Sequence, residues 1–226
     1  MRFMLATGNR HKLGEFAQIL TPCEVLPMPA WVELPPEGTE SFAENALGKA
    51  VGLARALAAD PPAGADVAAG ADPAPAGPPP GLFYLADDSG LEVEALGWAP
   101  GVTSARYAGV DGPGADAANV ARLLREMAGC AGPRARRARF VCSVVAVAPD
   151  LTEYAATGYW WGAIAAAPRG EGGFGYDPVF VPEGSDLTVA EWPQADKDQA
   201  SHRALAGTAL LELLRQEGLL DGGPQH

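Results

Sequence analysis

The sequence lacks the features of several protein classes. No apolar run approaches the roughly 18 residues that a membrane-spanning helix needs, so we expect no association with a membrane. Three cysteines (Cys23, Cys130 and Cys142) are far apart and form no CxxC pair, which argues against a disulfide framework and a cysteine zinc site. Residues 1–12 (MRFMLATGNRHK) lack the unbroken apolar stretch of a signal peptide. We therefore expect a cytoplasmic protein.

Positive charge is scarce: 16 Lys and Arg stand against 28 Asp and Glu, giving a formal net charge of −12. Affinity for nucleic acids depends largely on neutralising phosphates, so we expect no nucleic-acid partner. A small anionic ligand remains possible if a cleft of the protein brings enough Lys and Arg side chains together. The 226 residues are 48% hydrophobic, enough for a well-formed core, and we predict one domain over residues 1–226.

One segment departs from this composition. Residues 60–81 comprise 22 residues, of which 18 are Ala, Pro or Gly, with three Asp and no cation. Such a stretch cannot bury enough apolar surface to offset its ordering entropy. We predict a disordered-type insertion there, between two ordered elements.

Strand and helix patterns alternate along the rest of the chain. Residues 3–6 form a short apolar run before a helical pattern, and Ser41 and Glu44 have the spacing of a capping box that opens a second helix. Asp116 can cap a third helix, and Ser201 can cap a final one. Residues 140–148 and 154–161 are typical of an antiparallel pair. The pattern predicts an α/β fold with a mixed sheet.

The stretch of residues 7–12 (TGNRHK) links the first strand to the first helix. Free backbone N–H groups and the helix dipole at such a helix start suit an anion, and Lys12 adds a positive charge. The spacing is not that of a Walker P-loop. Taken alone, this stretch is better explained as an ordinary strand–turn–helix connection whose lysine faces solvent.

Asp87 and Asp88 follow the apolar run of residues 82–86, and Ser89-Gly90 come next. We interpret this as a turn that places two carboxylates at the end of a strand, where hard oxygen ligands suit Mg²⁺. Neighbouring side chains of an extended chain point to opposite sides, so we expect one of the two acids to meet the metal.

Residues 169–178 (RGEGGFGYDP) contain a formal GxGxxG, but Pro178 follows where a dinucleotide-binding motif would start a helix. We interpret the segment as a loop whose Phe174 and Tyr176 present flat faces to a purine while Asp177 accepts a hydrogen bond. A glycine-rich hairpin with core aromatics is the competing interpretation.

Residues 197–203 (KDQASHR) supply a lysine, a histidine and an arginine around another helix start. They could form an anion or base-edge site. We interpret the arginines of residues 134–139 as solvated or as local salt-bridge partners, and Trp160 and Trp161 as core or interface residues.

Together, five segments resemble the family of inosine/xanthosine triphosphate pyrophosphatases, which act on non-canonical purine nucleotides. They occur in the family's order: LATGNRHKLGEF, SFAENALGKA, LADDSGLEVEALGWAPGVTSARYAG, GAIAAAPRGEGGFGYDPVF and AEWPQADKDQASHRALA. The resemblance implies an elongated mixed sheet flanked by helices, with two lobes and a central nucleotide cleft. It also implies a homodimer and Mg²⁺-dependent hydrolysis of ITP, dITP and XTP to the monophosphate and pyrophosphate.

The resemblance also assigns roles to residues. Asp88 would accept a proton and ligate Mg²⁺, with Glu37 as the second metal ligand. The residues implied to bind substrate are Thr7, Gly8, Asn9, Arg10, His11, Lys12, Asn45, Lys49, Ser89, Phe174, Gly175, Tyr176, Asp177, Lys197, His202 and Arg203. Trp98 stands where the family usually has a small residue, and we expect it to alter the lip of the cleft.

Two other functions are compatible with these motifs. One is a related pyrophosphatase that prefers other modified nucleoside triphosphates. The other is a non-catalytic nucleotide-binding module of the same fold, although the intact Asp87, Asp88, Lys12 and Lys197 count against it.

Overall fold

The fold is an α/β arrangement, as the sequence predicts. A computed structural model describes residues 1–59, 81–132 and 134–220. Over these ranges the strands are β1 (Arg2–Leu5), β2 (Glu24–Pro27), β3 (Leu82–Val93), β4 (Arg137–Val147), β5 (Glu153–Ile164) and β6 (Phe180–Pro182). The α-helices are α1 (Arg10–Ile19), α2 (Phe42–Ala58), α3 (Ala115–Glu126), α4 (Gln194–Ala200) and α5 (His202–Gln216).

The strands form one mixed sheet in the order β2-β1-β3-β4-β5-β6. β1 is parallel to both of its neighbours, with Leu5 opposite Pro27 of β2 and opposite Leu85 of β3. At the other edge β5 and β6 are antiparallel, with Ile164 opposite Phe180. Parallel connections at one edge and an antiparallel pair at the other make this a mixed α/β sheet.

The chain divides into two compact units. Unit 1 takes the described residues of Met1–Asp88, Ser143–Thr157 and Ala206–His226, and unit 2 takes those of Ser89–Cys142 and Gly158–Leu205. The predicted insertion at residues 60–81 lies outside the described part of the chain, except for Gly81.

In unit 1, α2 packs an alanine-rich face onto the sheet. The Ser41 hydroxyl caps α2 by accepting from the Glu44 N–H at 3.1 Å and donates to the Glu44 carboxylate, so the predicted helix start is confirmed. Small residues let a helix approach a sheet closely. The buried residues of this core are Ala6, Val32, Ala46, Ala50, Leu53, Ala54, Leu82, Tyr84, Ala86, Val145 and Val147.

The core of unit 2 is richer in aromatic side chains. The ring centroid of Phe140 lies 6.4 Å from that of Trp160 and 4.6 Å from that of Phe180. Trp160 is therefore a core residue, one of the two alternatives that the sequence left open.

Among the described residues, no helix is both long and apolar enough to cross a membrane.

Two local predictions are wrong. Residues 87–90 do not form a turn: β3 runs without interruption from Leu82 to Val93. Its parallel neighbour β1 ends opposite Leu85, so Asp87 and Asp88 lie past the carboxyl end of β1 rather than at the end of their own strand. Asp116 is not a helix cap, because α3 starts at Ala115 after Gly114 at φ +98°.

Gly162 allows β5 and β6 to approach closely. A Cβ added there would lie 2.3 Å from the Val181 carbonyl oxygen and 2.8 Å from the Phe180 ring. We expect Gly162→Ala to lower the free energy of unfolding by about 1–3 kcal/mol, because backbone must shift. In the control Gly14→Ala, the added Cβ meets no atom within 4 Å, and we expect stabilisation of up to about 1 kcal/mol. Urea unfolding measures both, and equal effects would contradict the prediction.

Candidate active site

In unit 1, the first group of predicted residues lies where β1 leads into α1. Asn9 is the N-cap of α1, and its side-chain oxygen accepts from the N–H groups of His11, at 2.9 Å, and Lys12, at 3.4 Å. Thr7 accepts from the Asn9 N–H at 3.1 Å. These two helix N–H groups, predicted to be available to an anion, are thus used by the cap. An anion at this position would therefore depend on side chains and on amides other than these two.

The Lys12 side chain reaches back to β3. Its ammonium donates to both carboxylate oxygens of Asp87, at 3.0 and 2.8 Å. The Asp87 side chain is 1% exposed and that of Lys12 is 19% exposed. A buried carboxylate is costly unless it is paired, so this contact explains how Asp87 is tolerated inside the unit.

Asp88 is held by a second set of partners from α2. Asn45 donates to Asp88 at 2.8 Å and accepts from the Gly38 N–H at 2.8 Å. The Lys49 ammonium lies 2.9 Å from Glu37 and 3.7 Å from Asp88. The structure thus brings together Glu37, Asn45, Lys49 and Asp88, which sequence separates by up to 51 positions.

Burial and neighbouring charges act in opposite directions on the pKa values of this set. Burial raises the pKa of Asp88 above its ordinary value, and the charge of Lys49 and the Asn45 hydrogen bond offset this only in part. Burial alone would lower the pKa of Lys49, but its hydrogen bond with Glu37 and the nearby charges of Asp88, Asp87 and Glu37 outweigh it, and the pKa is raised. Lys49 therefore stays an ammonium close to two carboxylates.

In unit 2, the glycine-rich loop places Phe174 next to buried cations. The Lys197 ammonium lies 4.3 Å from the centre of the Phe174 ring and 2.5 Å from Asp177. Asp177 also accepts from the Phe174 N–H at 2.9 Å. A Cβ on Gly173 would lie 2.1 Å from the Asp177 carboxylate, and Gly173 has φ +73°, so this position requires glycine.

Arg203 and Ser89 form the other side of this group. The Arg203 guanidinium donates to the Ser89 hydroxyl at 3.1 Å and lies 5.7 Å from the centre of the Phe174 ring. Ring stacking holds His202, the first residue of α5, against Phe140 with centroids 4.8 Å apart. Lys197, His202 and Arg203 are all buried.

Tyr176 does not present a free flat face. It is 5% exposed, lies in the core of unit 2, and its hydroxyl donates to the Ser104 carbonyl at 2.8 Å. Burial also raises the pKa of Tyr176. This aromatic position follows the competing core interpretation, whereas Phe174 is 45% exposed and fits the original one.

Comparisons with known proteins show which family the chain belongs to. A model of the Ham1 family matches residues 3–213. The chain belongs to the Ham1 family. It is 43% identical over 220 residues to a protein from Ralstonia nicotianae named dITP/XTP pyrophosphatase, covering 95% of this chain and 96% of the relative. It is 42% identical to a protein of the same name from Nocardia farcinica, with coverage of 94% and 93%.

The fold of this Ham1-family protein is also found in solved structures. The Ham1 protein from Staphylococcus aureus superposes with a TM-score of 0.75 at 32% identity, covering 96% of this chain and 100% of that one. The family assignment made from the five sequence motifs is therefore confirmed.

One residue of unit 2 was not predicted as part of the site. Asp116, in the first turn of α3, accepts from the Gly175 N–H at 2.7 Å and so ties the loop carrying Phe174 to the helix. The sequence does signal Asp116, an acid before an apolar helical pattern, but that pattern predicts a helix cap. Its actual partner lies 59 positions away and could not be inferred from local spacing.

We expect Asp116→Ala to loosen this loop. Gly175 has φ +61° and loses the partner of its N–H, so amide hydrogen exchange at residues 173–175 should speed up. Global stability should fall by less than about 1 kcal/mol, because the site is exposed. Asp116→Asn keeps an acceptor oxygen and is the matched control. Equal exchange in the wild type and Asp116→Ala would contradict the prediction.

Proposed function

We propose that this protein hydrolyses purine nucleoside triphosphates with non-canonical bases, namely dITP, XTP and ITP, to the monophosphate and pyrophosphate. The observation that carries the proposal is the environment of Asp88. This buried carboxylate is fixed by Asn45 and Lys49, past the carboxyl end of β1. The names of the two relatives, dITP/XTP pyrophosphatase, support the same activity and substrate class.

The charge of the unit 1 set supports a requirement for Mg²⁺. Two ammonium groups, of Lys12 and Lys49, lie against three carboxylates, of Asp87, Asp88 and Glu37, so the set is net negative. A triphosphate therefore needs an additional cation to bind beside it. Among the described residues, no group of three or more His, Cys, Asp or Glu could hold a metal by itself. Mg²⁺ characteristically uses one or two carboxylates and completes its shell with water and phosphate oxygens.

Asp88 and Glu37 are the proposed metal ligands, because both offer carboxylate oxygens within 4 Å of the Lys49 ammonium. When bound, Mg²⁺ would neutralise charge that develops on the leaving pyrophosphate. The Lys49 ammonium has contacts to both the Glu37 and the Asp88 carboxylate. The Lys12 ammonium pairs with Asp87.

The proposed chemical step is attack of water on the α-phosphorus. Asp88 orients the water and accepts its proton, the new O–P bond forms, and the bond to the β-phosphate oxygen breaks as pyrophosphate leaves. Asn45 fixes the Asp88 carboxylate by donating to one of its oxygens. Residues 7–12, among them Lys12, are the proposed contacts of the triphosphate.

Unit 2 is the proposed recognition site for the base. The exposed Phe174 ring offers a stacking surface, and Lys197 and Asp177 hold the loop that carries it. His202 and Arg203 are the proposed donors to the 6-oxo group of hypoxanthine or xanthine. The 6-amino group of adenine would instead place a donor against a donor, a mismatch that is costly in a buried site.

We further propose that the protein is a homodimer in the cytoplasm, as the family resemblance implies.

The proposed activity is tested by measuring pyrophosphate release from ITP, dITP, XTP, GTP and ATP with and without Mg²⁺. We expect release from the first three only when Mg²⁺ is present, and much less from ATP. Preference for a modified pyrimidine triphosphate would point to a related pyrophosphatase. Binding of ITP with Mg²⁺ but without pyrophosphate release would overturn the enzymatic proposal.

Asp88→Asn tests the proposed base. The substitution preserves size and removes the proton acceptor, so we expect kcat for dITP to fall by about 10²–10⁴-fold while the fold is retained. The control Asp111→Asn makes the same chemical change at an exposed position. Steady-state kinetics and circular dichroism are the measurements, and a kcat near that of the wild type would rule out the assigned role.

A further inference from the structure

The proposed metal ligand Glu37 lies on an irregular segment that runs along α2. Residues 32–38, which we call the strap, have no regular secondary structure, and the strap and α2 both belong to unit 1. The strap starts in the core of this unit with the buried Val32. Most of its other residues are exposed. Contacts with α2 must therefore determine where the Glu37 carboxylate lies.

Hydrogen bonds and an ion pair attach the last residues of the strap to α2. The Asn45 side chain accepts from the Gly38 N–H at 2.8 Å and donates to the Gly38 carbonyl at 3.4 Å. One turn further along the helix, the Lys49 ammonium donates to Glu37 at 2.9 Å. Asn45 and Lys49 are both buried, so their partners on the strap lie close against the helix.

Gly52 is a further point at which the strap meets the same face of α2. Positions 45, 49 and 52 follow the spacing i, i+4 and i+7 of one helix face. A Cβ added to Gly52 would lie 2.7 Å from Cδ and 3.2 Å from Cγ of Pro35. Carbon atoms in contact are about 3.5–4.0 Å apart, so Pro35 lies roughly 1 Å closer to the helix than a side chain at position 52 would permit.

This close approach explains a glycine that the helix itself disfavours. Glycine inside a helix is less favourable than alanine, because it loses more backbone entropy on folding. Gly48, one turn earlier in α2, has no such neighbour: a Cβ added there would meet no atom within 4 Å. The steric requirement for glycine is therefore specific to position 52, where the strap crosses the helix.

Two consecutive prolines connect this contact to the metal ligand. The rings of Pro35 and Pro36 fix φ in both residues, and a residue that precedes proline is restricted as well. Such a pair has few conformations and behaves as a short, stiff spacer. A displacement of Pro35 is therefore passed on to Glu37, which follows directly, instead of being absorbed by the intervening backbone.

Metal ligation is sensitive to displacements of this size. Ligand distances in metal sites vary by only about 0.2 Å, and Mg²⁺ demands near-ideal octahedral geometry. The Glu37 side chain is 37% exposed, so its position depends on its backbone and its polar contacts more than on close packing. A shift of the strap by roughly 1 Å would separate the Glu37 carboxylate from that of Asp88 by more than a shared metal tolerates.

We propose that Gly52 is a positioning residue for the metal site. By admitting Pro35 next to the backbone of α2, it sets the place of the Glu37 carboxylate relative to Asp88 and so sets the affinity for a divalent cation. The inference rests on the two metal ligands assigned under the proposed function, and it adds the residue that places one of them.

The first test compares two glycines of the same helix. Mn²⁺ alone is the probe, because it uses the same oxygen ligands as Mg²⁺ and its binding is measured by electron paramagnetic resonance. We expect Gly52→Ala to raise the dissociation constant of Mn²⁺ about 10-fold or more. Gly48→Ala is the matched control, since it makes the same change where the added Cβ meets no atom. We expect it to leave Mn²⁺ binding unchanged.

The second test removes the atom that the new Cβ would meet. Pro35→Ala has no Cδ, so in the double variant Gly52→Ala/Pro35→Ala the steric conflict is absent. We expect its Mn²⁺ affinity to lie within about 3-fold of that of Pro35→Ala alone, the signature of two coupled positions. Amide hydrogen exchange at Gly38 reports the strap without any metal, and it should speed up in Gly52→Ala but not in Gly48→Ala.

The outcomes separate this inference from the proposed function. A wild type that does not bind Mn²⁺ removes the metal site and the inference with it. Three results would remove the positioning role alone: equal Mn²⁺ binding by the wild type and Gly52→Ala, an equal loss in Gly48→Ala, or a loss that the double variant does not restore. Unchanged exchange at Gly38 in Gly52→Ala would have the same meaning. Pyrophosphate release from dITP by the wild type, measured separately, reports on the proposed activity.

Discussion

Unit 1 depends on the burial of two adjacent carboxylates in the middle of β3. Neighbouring strand residues point to opposite sides, so Asp87 and Asp88 need separate partners, and the chain supplies them from different helices: Lys12 from α1, and Asn45 with Lys49 from α2. Removing one partner of a buried pair costs about 3–5 kcal/mol, because it leaves the other charge uncompensated. Lys12, Asn45 and Lys49 therefore tie α1 and α2 to the sheet, and the same side chains belong to the proposed active site.

Unit 2 positions its exposed ring by different means. Asp177 accepts from the Phe174 N–H and receives the Lys197 ammonium, so one carboxylate fixes both the loop backbone and the cation beside the ring. Glycine at position 173 makes this approach possible, since any Cβ would meet the carboxylate. A loop of small residues would otherwise lose much conformational entropy on ordering. Fixing the loop within the fold lowers the entropic cost that the proposed stacking of a base on Phe174 would have to offset.

The sequence predicts those parts of the fold and candidate site that depend on local signals. The starts of α2 and α5 follow from Ser41 and Ser201, each of which accepts a backbone N–H of the following turn. The uninterrupted β3 could not be predicted in this way, because Asp-Asp-Ser-Gly has the composition of a turn and is kept extended only by its place in the sheet. Contacts such as Asp116 with Gly175 join distant segments and leave no local pattern.

The acidic composition and an anionic substrate are compatible because they act over different distances. At physiological ionic strength charges are screened beyond about 8 Å, so a net charge of −12 spread over the surface has little influence on a single nucleotide in its site. In the proposed site of unit 1, a nucleotide would meet two lysines that are each already paired with a carboxylate, and a divalent ion would supply the missing positive charge. A nucleic-acid polymer extends many Debye lengths from any one site and meets the acidic surface at each further phosphate. The acidic composition is therefore compatible with the proposed triphosphate site and disfavours binding of a nucleic-acid polymer.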